Sequence, residues 1–202
     1  MILVPVTVIP YVTRAAPLRG RERVLEQSAR AREALALAAR SVGAELGELE
    51  KDEEDAPLPS NGWHWSVSHA EHYAAATLAR FRIGIDVEEV RPRSQTLVPR
   101  VTSRVELELL GGFDWQRFFR VWTAKEAVLK RAGQGLLELS GCKLVAVPDT
   151  ETLILNHRGR DHVVRQFMRA NHIVSVSHDG PAAVQIEWSF EPAAHDVAED
   201  RA

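Results

Sequence analysis

Two carboxylates lie next but one to each other in the apolar segment IGIDVEEV, at Asp86 and Glu88. Side chains of a strand alternate between its two faces, so Asp86 and Glu88 share a face with Gly84, which leaves space beside them. Like charges placed side by side are unfavourable unless a cation or solvent screens them, and two oxygen donors with room for water suit Mg²⁺. The segment therefore indicates either a magnesium site or a solvent-facing strand edge.

A third carboxylate, Glu126, lies within the segment VWTAKEAVLK. It follows Trp122 by four residues, on a stripe of aromatic and apolar side chains at helical spacing. A surface pair with Lys130, one helical turn further on, is one explanation of its position. Burial beside aromatic rings would be costly without a metal or another cation, so a ligand role explains Glu126 better than a surface pair does.

Ser68 and His69 end the apolar segment WHWSVSH. A histidine in this position is either a structural residue or a group that contacts a ligand. The sequence has no His-x-x-x-His or Glu-x-x-His pair, no Gly-x-Ser-x-Gly motif and no glycine-rich phosphate loop. The motifs of zinc peptidases, serine hydrolases, P-loop proteins and dinucleotide-binding folds are therefore missing.

The spacing of apolar residues predicts the elements that carry these side chains. We expect a strand over 83–90 for the first two carboxylates, a helix over 115–132 for the third, and another helix over 100–110. A hairpin over 63–81 precedes the strand. The arginine-rich helix predicted over 20–43 presents either a solvated face or a surface for an anionic ligand.

The tetrapeptide Ser-Val-Ser-His occurs twice, at 66–69 and at 175–178, and an apolar segment follows each copy. The repetition indicates a duplicated unit about half the length of the chain, although Ser-Val alternation is also ordinary strand composition.

Composition excludes several classes of protein. The chain has 202 residues, of which 45% are hydrophobic and 26% charged, and its formal net charge is −3. These values are typical of a globular protein, and they give no general basic field for nucleic acid. No apolar run is long enough to predict a membrane span. Cys142 is the only cysteine, so no disulfide is expected, and a cytoplasmic location fits.

Taken in order, the segments WSVSHA, IGIDVEEV and VWTAKEAVLK resemble the motif series of the Sfp-type 4′-phosphopantetheinyl transferases. The resemblance is strong over 63–136 and thin elsewhere. It implies an α+β fold, a pseudo-dimer of two similar α+β halves. We expect these halves at 1–82 and 83–190, followed by a frayed tail over 191–202.

The resemblance also implies an activity. A serine of an apo acyl or peptidyl carrier protein attacks coenzyme A, takes its 4′-phosphopantetheine group and releases 3′,5′-ADP, with Mg²⁺ as cofactor. We expect a monomer without nucleic-acid or membrane partners. The alternative is a catalytically silent homologue that binds coenzyme A or a carrier protein, and the least favoured interpretation is a plain structural α+β protein.

Residue roles follow from the same resemblance. The implied metal ligands are Asp86, Glu88 and Glu126. The implied coenzyme A contacts are Ser68, His69, Lys125, Lys130, Arg30 and Arg32. Many family members carry a basic residue before the Ser-His motif, where this chain has Asp55-Ala56-Pro57. That contact to the nucleotide is either absent here or supplied by Arg30 or Arg32. The implied catalytic residues are Glu126, Lys130 and Glu106, and the proton acceptor is Glu126, Glu106 or a metal-bound water.

Overall fold

The computed structural model describes residues 2–11, 20–134, 136–169 and 171–191. The predicted frayed tail, except for Glu191, lies outside these described residues. Within them, no helix is both long and apolar enough to cross a membrane.

Strands and helices alternate irregularly along the described chain. The strands are β1 (Ile2–Pro10), β2 (His64–His69), β3 (Tyr73–Ala79), β4 (Ile83–Glu89), β5 (Cys142–Asp149), β6 (Thr152–His157), β7 (Arg160–Arg169), β8 (His172–His178) and β9 (Val184–Phe190). The α-helices are α1 (Gly20–Ser41), α2 (Val98–Val101), α3 (Arg104–Leu109) and α4 (Trp115–Ala132). Short 3₁₀ turns occupy Gln95–Leu97 and Leu136–Gly141. This mixed content in two separate sheets confirms the predicted α+β class.

The strands form two sheets. The first has the order β2-β3-β1-β9, and the second has the order β4-β8-β7-β6-β5. β1 runs antiparallel to β3 and parallel to β9, so the last strand of the chain joins the sheet of the first strands. The two predicted halves, and the pseudo-dimer they would form, stay a prediction.

Apolar side chains arrange the sheets and helices in four layers. α1 covers one face of the first sheet with closely spaced small residues, among them Ala31, Ala34 and Ala38. The other face of that sheet packs against the second sheet through alternating valines and isoleucines, as the two-residue period of strands requires. α4 covers the outer face of the second sheet. β4, which carries the candidate ligands, is therefore enclosed between α4 and the first sheet.

The predicted helix over 115–132 is confirmed, and its ends have local causes. Asp114 caps the first turn by accepting a hydrogen bond from the backbone N–H of Arg117. Gly133 ends the helix in the left-handed conformation, at φ 68°. The single helix expected over 100–110 is instead two short helices. Thr102 is extended between them, and Ser103 with Glu106 forms a capping box that starts α3.

Gly84 lets α4 approach β4 closely. A Cβ atom at this position would lie 2.1 Å from the carbonyl oxygen of Ala127 and 2.4 Å from the backbone nitrogen of Arg131. Both contacts are with backbone atoms, which no side-chain rotation can move away.

We expect Gly84→Ala to lower the free energy of unfolding by at least about 1–3 kcal/mol, because α4 must move away from β4. Urea denaturation measures the change. Gly141→Ala is the matched control, since its Cβ meets nothing closer than Glu138 Oε2 at 3.6 Å. An equally small change in the free energy of unfolding of both variants would show that the packing of α4 against β4 does not require glycine at position 84.

Candidate active site

A cavity of about 550 Å³ opens between α1, the segment before β2, and the elements β2, β4 and α4. Six of the predicted site residues line it together: Ser68, His69, Asp86, Glu88, Glu126 and Lys130. Arg32 lines the same cavity from α1. The structure thus brings both strand carboxylates, the helix carboxylate and one of the two lysines to a common space.

Two serines of β2 join the edges of the two sheets. Ser66 Oγ accepts a hydrogen bond from the backbone N–H of Ile85 (3.1 Å), and Ser68 Oγ accepts one from that of Val87 (3.3 Å). The serines therefore satisfy backbone donors on the edge of β4 that no neighbouring strand pairs. This seam sets β2 beside the residues that carry the carboxylates.

Among the described residues, hydrogen-bond donors contact only one of the two carboxylate oxygens of Asp86. Its Oδ1 accepts hydrogen bonds from Ser68 Oγ (2.7 Å) and Lys130 Nζ (2.7 Å), and the lysine also reaches Ser68 Oγ (3.1 Å). Oδ2 is buried, and no described residue donates a hydrogen bond to it. A buried carboxylate oxygen without a donor is costly, and a cation would satisfy it.

Glu88 and Glu126 add negative charge to the same cavity. Burial, and then the negative charge of Asp86, raises the pKa of each of these glutamates to about 7. Trp122 Nε1 donates a hydrogen bond to Glu126 Oε1 (3.1 Å), which fixes the helix carboxylate beside the aromatic stripe. Both raised pKa values have burial as their largest cause, and the attraction of Lys130 does not offset it together with the repulsion from Asp86. The all-oxygen set of three carboxylates fits a hard divalent cation such as Mg²⁺.

The surface ion pair between Glu126 and Lys130 is not formed in the structure. Lys130, its neighbour one turn later, forms its ion pair with Asp86 instead. Glu126 itself is only 8% exposed. Its position among the aromatic residues is therefore a buried one, as the apolar stripe predicts.

His69 lies at the exposed mouth of the cavity. Partial desolvation by the surrounding protein, and then the positive charge of Lys130, lowers the pKa of the imidazole. The ring is consequently neutral near pH 7, and it offers one N–H donor and one acceptor to a bound molecule.

Three predicted site residues lie away from the cavity. Lys125 Nζ pairs with Glu106 Oε1 (2.7 Å) and donates to the carbonyl oxygen of Val101 (2.8 Å), and both charged side chains are at most 4% exposed. Arg30 donates to the carbonyl oxygen of Pro10 and pairs with Glu33. These contacts favour structural roles, and the predicted parts of Glu106, Lys125 and Arg30 in the reaction stay untested.

Glu106 is the centre of a buried polar network. Burial by itself raises the pKa of the carboxyl, but hydrogen bonds from Lys125 and from the backbone N–H groups of Leu144 and Ser103 bring the pKa below its usual value. The network links α3 and β5 to α4, the helix that carries Glu126.

Some cavity residues have no counterpart among the predicted ones. Lys51 lines the cavity from the segment before β2, and Gln134 lines it just after the end of α4. Lys51 could have been singled out, because it is the one basic residue in the acidic stretch 45–55. Gln134 carries no sequence signal beyond its place after the capping Gly133.

The structure defines a class of protein: a two-sheet α+β protein with a cavity that is lined by three carboxylates and by basic side chains. Residues 82–184 match the 4′-phosphopantetheinyl transferase superfamily. The chain belongs to this superfamily, and the resemblance found from the three motifs is confirmed.

Three curated relatives carry the same family name. 4′-Phosphopantetheinyl transferase HetI of Nostoc sp. (strain PCC 7120 / SAG 25.82 / UTEX 2576) is 34% identical over 121 residues, covering 53% of this chain and 51% of the relative. Sfp of Bacillus subtilis (strain 168) is 30% identical over 77 residues (36% and 34%), and psf-1 of Bacillus pumilus is 30% identical over 83 residues (39% and 35%). The chain thus matches about half of the first relative and about a third of the other two.

We expect Lys125→Met to lower the free energy of unfolding by about 3–5 kcal/mol, because Glu106 loses its cation while it stays buried. The double variant Glu106→Gln with Lys125→Met should recover part of this loss. Urea denaturation measures the free energy of unfolding of both variants at pH 7, which is well above the ordinary glutamate pKa of 4.5. Because the folded-state pKa of Glu106 is lowered, its contribution is present above pH 4.5 and disappears as the pH falls through the folded value.

Arg104→Ala is the control for this experiment. It breaks the ion pair with Glu108 on the exposed face of α3, where the arginine is 91% exposed, and it should change stability little. Equal effects of Lys125→Met and Arg104→Ala would contradict a structural role for the buried pair.

Proposed function

We propose that this protein transfers the 4′-phosphopantetheine group of coenzyme A to a serine of an apo acyl or peptidyl carrier protein and releases 3′,5′-ADP, with Mg²⁺ as cofactor. The observation that carries the proposal is the state of Asp86. One of its oxygens is fixed by Ser68 and Lys130, and the other is buried without a donor in a cavity shared with Glu88 and Glu126. The superfamily membership supplies the reaction class.

Asp86, Glu88 and Glu126 are the residues that would hold Mg²⁺. Bound there, the cation supplies charge neutralisation for the pyrophosphate and polarises its phosphorus–oxygen bonds. The raised pKa values of the two glutamates fit this assignment, because burial and the nearby Asp86 disfavour their charged forms and a bound cation would favour them.

Lys130 is the donor that the chain itself directs at the phosphates. Its ammonium group has three hydrogens, of which Asp86 and Ser68 take two. The third is available to a phosphate oxygen, and the first two hold the ammonium in place before the substrate arrives. Such prior positioning is how fixed charges stabilise a phosphoryl-type transition state.

The mouth and the helical wall of the cavity bind the rest of coenzyme A in this proposal. The neutral ring of His69 offers an N–H to a phosphate oxygen. Arg32 adds a positive charge on the α1 side of the cavity, where it attracts a phosphate of the nucleotide.

The proton of the attacking serine goes to a base in the cavity. The ion pair with Lys125 favours a structural role for Glu106 instead. Glu126 and a bound water therefore stay as candidates. The raised pKa of Glu126 suits proton transfer near neutral pH, whereas ligation of a cation lowers the basicity of the same carboxylate.

The proposal includes a monomeric enzyme in the cytoplasm. A single chain supplies β2, β4, α1 and α4 around the cavity, so no second subunit is needed to complete the site. The buried thiol of Cys142 is free, as is usual in a reducing compartment. The silent-homologue alternative is less favoured, because all three carboxylates and Lys130 of the motif series meet in the cavity and the matched relatives are named transferases.

We expect incubation with coenzyme A, Mg²⁺ and a panel of apo carrier proteins to add about 340 Da to a carrier serine, measured by intact-mass spectrometry. EDTA should abolish the addition, and excess Mg²⁺ should restore it. Asp86→Asn, which keeps the shape of the side chain, should slow the reaction at least about 100-fold. The control Asp161→Asn removes an exposed carboxylate from β7 and should react normally. Binding of coenzyme A without mass addition to any carrier would support the silent homologue instead.

We expect Arg32→Ala to raise the KM for coenzyme A about 5–10-fold with little change in kcat, because one charge-assisted contact to a phosphate is lost. Arg40→Ala is the matched control on the same helix, since Arg40 is exposed in the last turn and does not line the cavity. Equal KM values for the two variants would exclude Arg32 from the nucleotide site.

A further inference from the structure

A second group of metal-ligating side chains lies outside the cavity. His72, Glu89 and His172 each offer one ligand atom, and these atoms all lie within 4.8 Å of one another. None of the three residues lines the cavity that contains the acidic set. Glu89 follows Glu88 in β4, and successive side chains of a strand point to opposite faces. The two groups therefore lie on opposite sides of the same strand.

The backbone holds these three residues in place. Glu89 and His172 are direct partners in the antiparallel pairing of β4 with β8, and Val90 N–H donates to the carbonyl oxygen of Asn171 (2.7 Å) beside them. His72 belongs to the turn between β2 and β3 in the other sheet. Its carbonyl oxygen accepts a hydrogen bond from the backbone N–H of Tyr11 (2.8 Å). The group thus draws on both sheets.

The geometry suits a borderline divalent cation. His72 Nδ1 and Glu89 Oε2 are 3.4 Å apart, close to the separation of two ligands on a tetrahedral zinc with bonds of about 2.0–2.1 Å. The ring of Tyr73 packs edge-on against His172, with centroids 4.5 Å apart, and orients this imidazole. Two imidazoles and one carboxylate form a donor set that favours Zn²⁺ over Mg²⁺, which prefers oxygen ligands throughout.

Burial differs among the ligands in a way that leaves an entry path. His172 is 3% exposed, whereas the side chain of His72 is 43% exposed. A cation can therefore enter from the side of His72, where water can complete its coordination. Arg91 does not oppose a cation strongly, because its guanidinium is paired with Glu71.

We propose that His72, Glu89 and His172 bind one Zn²⁺ ion, which links the turn between β2 and β3 of the first sheet to β4 and β8 of the second. The ion is separate from the Mg²⁺ of the transfer reaction. Its effect is on stability, because it binds a group that only the folded chain assembles.

The test uses the full chain, freed of metal by chelation and then supplied with excess Mg²⁺ to occupy the acidic site. Titration with ZnCl₂ in a calorimeter should show one binding event per chain. At a free Zn²⁺ concentration about 100 times Kd, Tm should rise by about 5–10 °C. Co²⁺ in place of Zn²⁺ should give visible absorption bands typical of mixed nitrogen and oxygen ligands.

Variants locate the ion. His72→Ala and Glu89→Gln alter partly exposed side chains, and each should weaken Zn²⁺ binding at least about 10-fold and remove the rise in Tm. Glu138→Gln is the matched control, because Glu138 also lies near a histidine, 3.8 Å from His157 Nε2. This control and Asp86→Asn should bind Zn²⁺ like the original chain.

The proposal is overturned by absence of stoichiometric Zn²⁺ binding, or by binding that survives both His72→Ala and Glu89→Gln. Loss of binding in Asp86→Asn alone would place the ion in the acidic site and would equally overturn it. None of these readouts uses coenzyme A or a carrier protein, so the result is independent of the proposed transferase activity.

Discussion

The hydrogen bonds that Ser66 and Ser68 accept from β4 are the contact on which the site depends. Both strands lie at the edge of their sheets, and edge strands carry unpaired backbone groups. Ser66 and Ser68 are two residues apart in β2, and the N–H groups that they accept from, those of Ile85 and Val87, are two residues apart in β4. The spacings match because groups on the same side of a strand recur every two residues. Ser68 then has a hydroxyl hydrogen left, and it donates this hydrogen to Asp86. One serine therefore joins the sheets and orients the candidate ligand.

The site also depends on how closely α4 packs against β4. Lys130 reaches Asp86 only because the helix lies against the strand at Gly84, where any Cβ atom would meet the helix backbone. The same packing buries Glu126 and brings its charge near that of Asp86, which is why burial and the neighbouring carboxylate raise the pKa of Glu126 to about 7. The ion pair of Lys130 with Asp86, the burial of Glu126 and its raised pKa thus all follow from the close packing of α4 against β4.

Local patterns predicted the elements of the site better than its interior contacts. The strand at 83–90, the helix at 115–132 and the buried position of Glu126 follow from apolar spacing, which depends on near neighbours in sequence. Glu106 and Lys125 were assigned to the site by the resemblance to the family's motif series. Their actual contact joins two helices, and no local spacing reports it. The break at Thr102 differs, because the capping box of Ser103 and Glu106 that starts α3 is a local sequence pattern. The group of His72, Glu89 and His172 is invisible to motif spacing because each ligand comes from a different segment.

The two copies of Ser-Val-Ser-His flank β4, yet only one of them contributes to the cavity. The first copy lies in β2, and its hydroxyls contact the edge of β4. The second lies in β8, which pairs with the other edge of β4 through a backbone ladder, so the backbone groups on that edge need no hydroxyl partner. Ser175 of this copy is fully buried and bonds to Thr123 and Gln166. A hydroxyl enclosed by other side chains cannot contact a ligand. The first copy of the motif therefore lines the cavity, whereas the second makes a structural contact. The two copies differ because β2 contacts β4 through its serine side chains, whereas β8 pairs with β4 through its backbone.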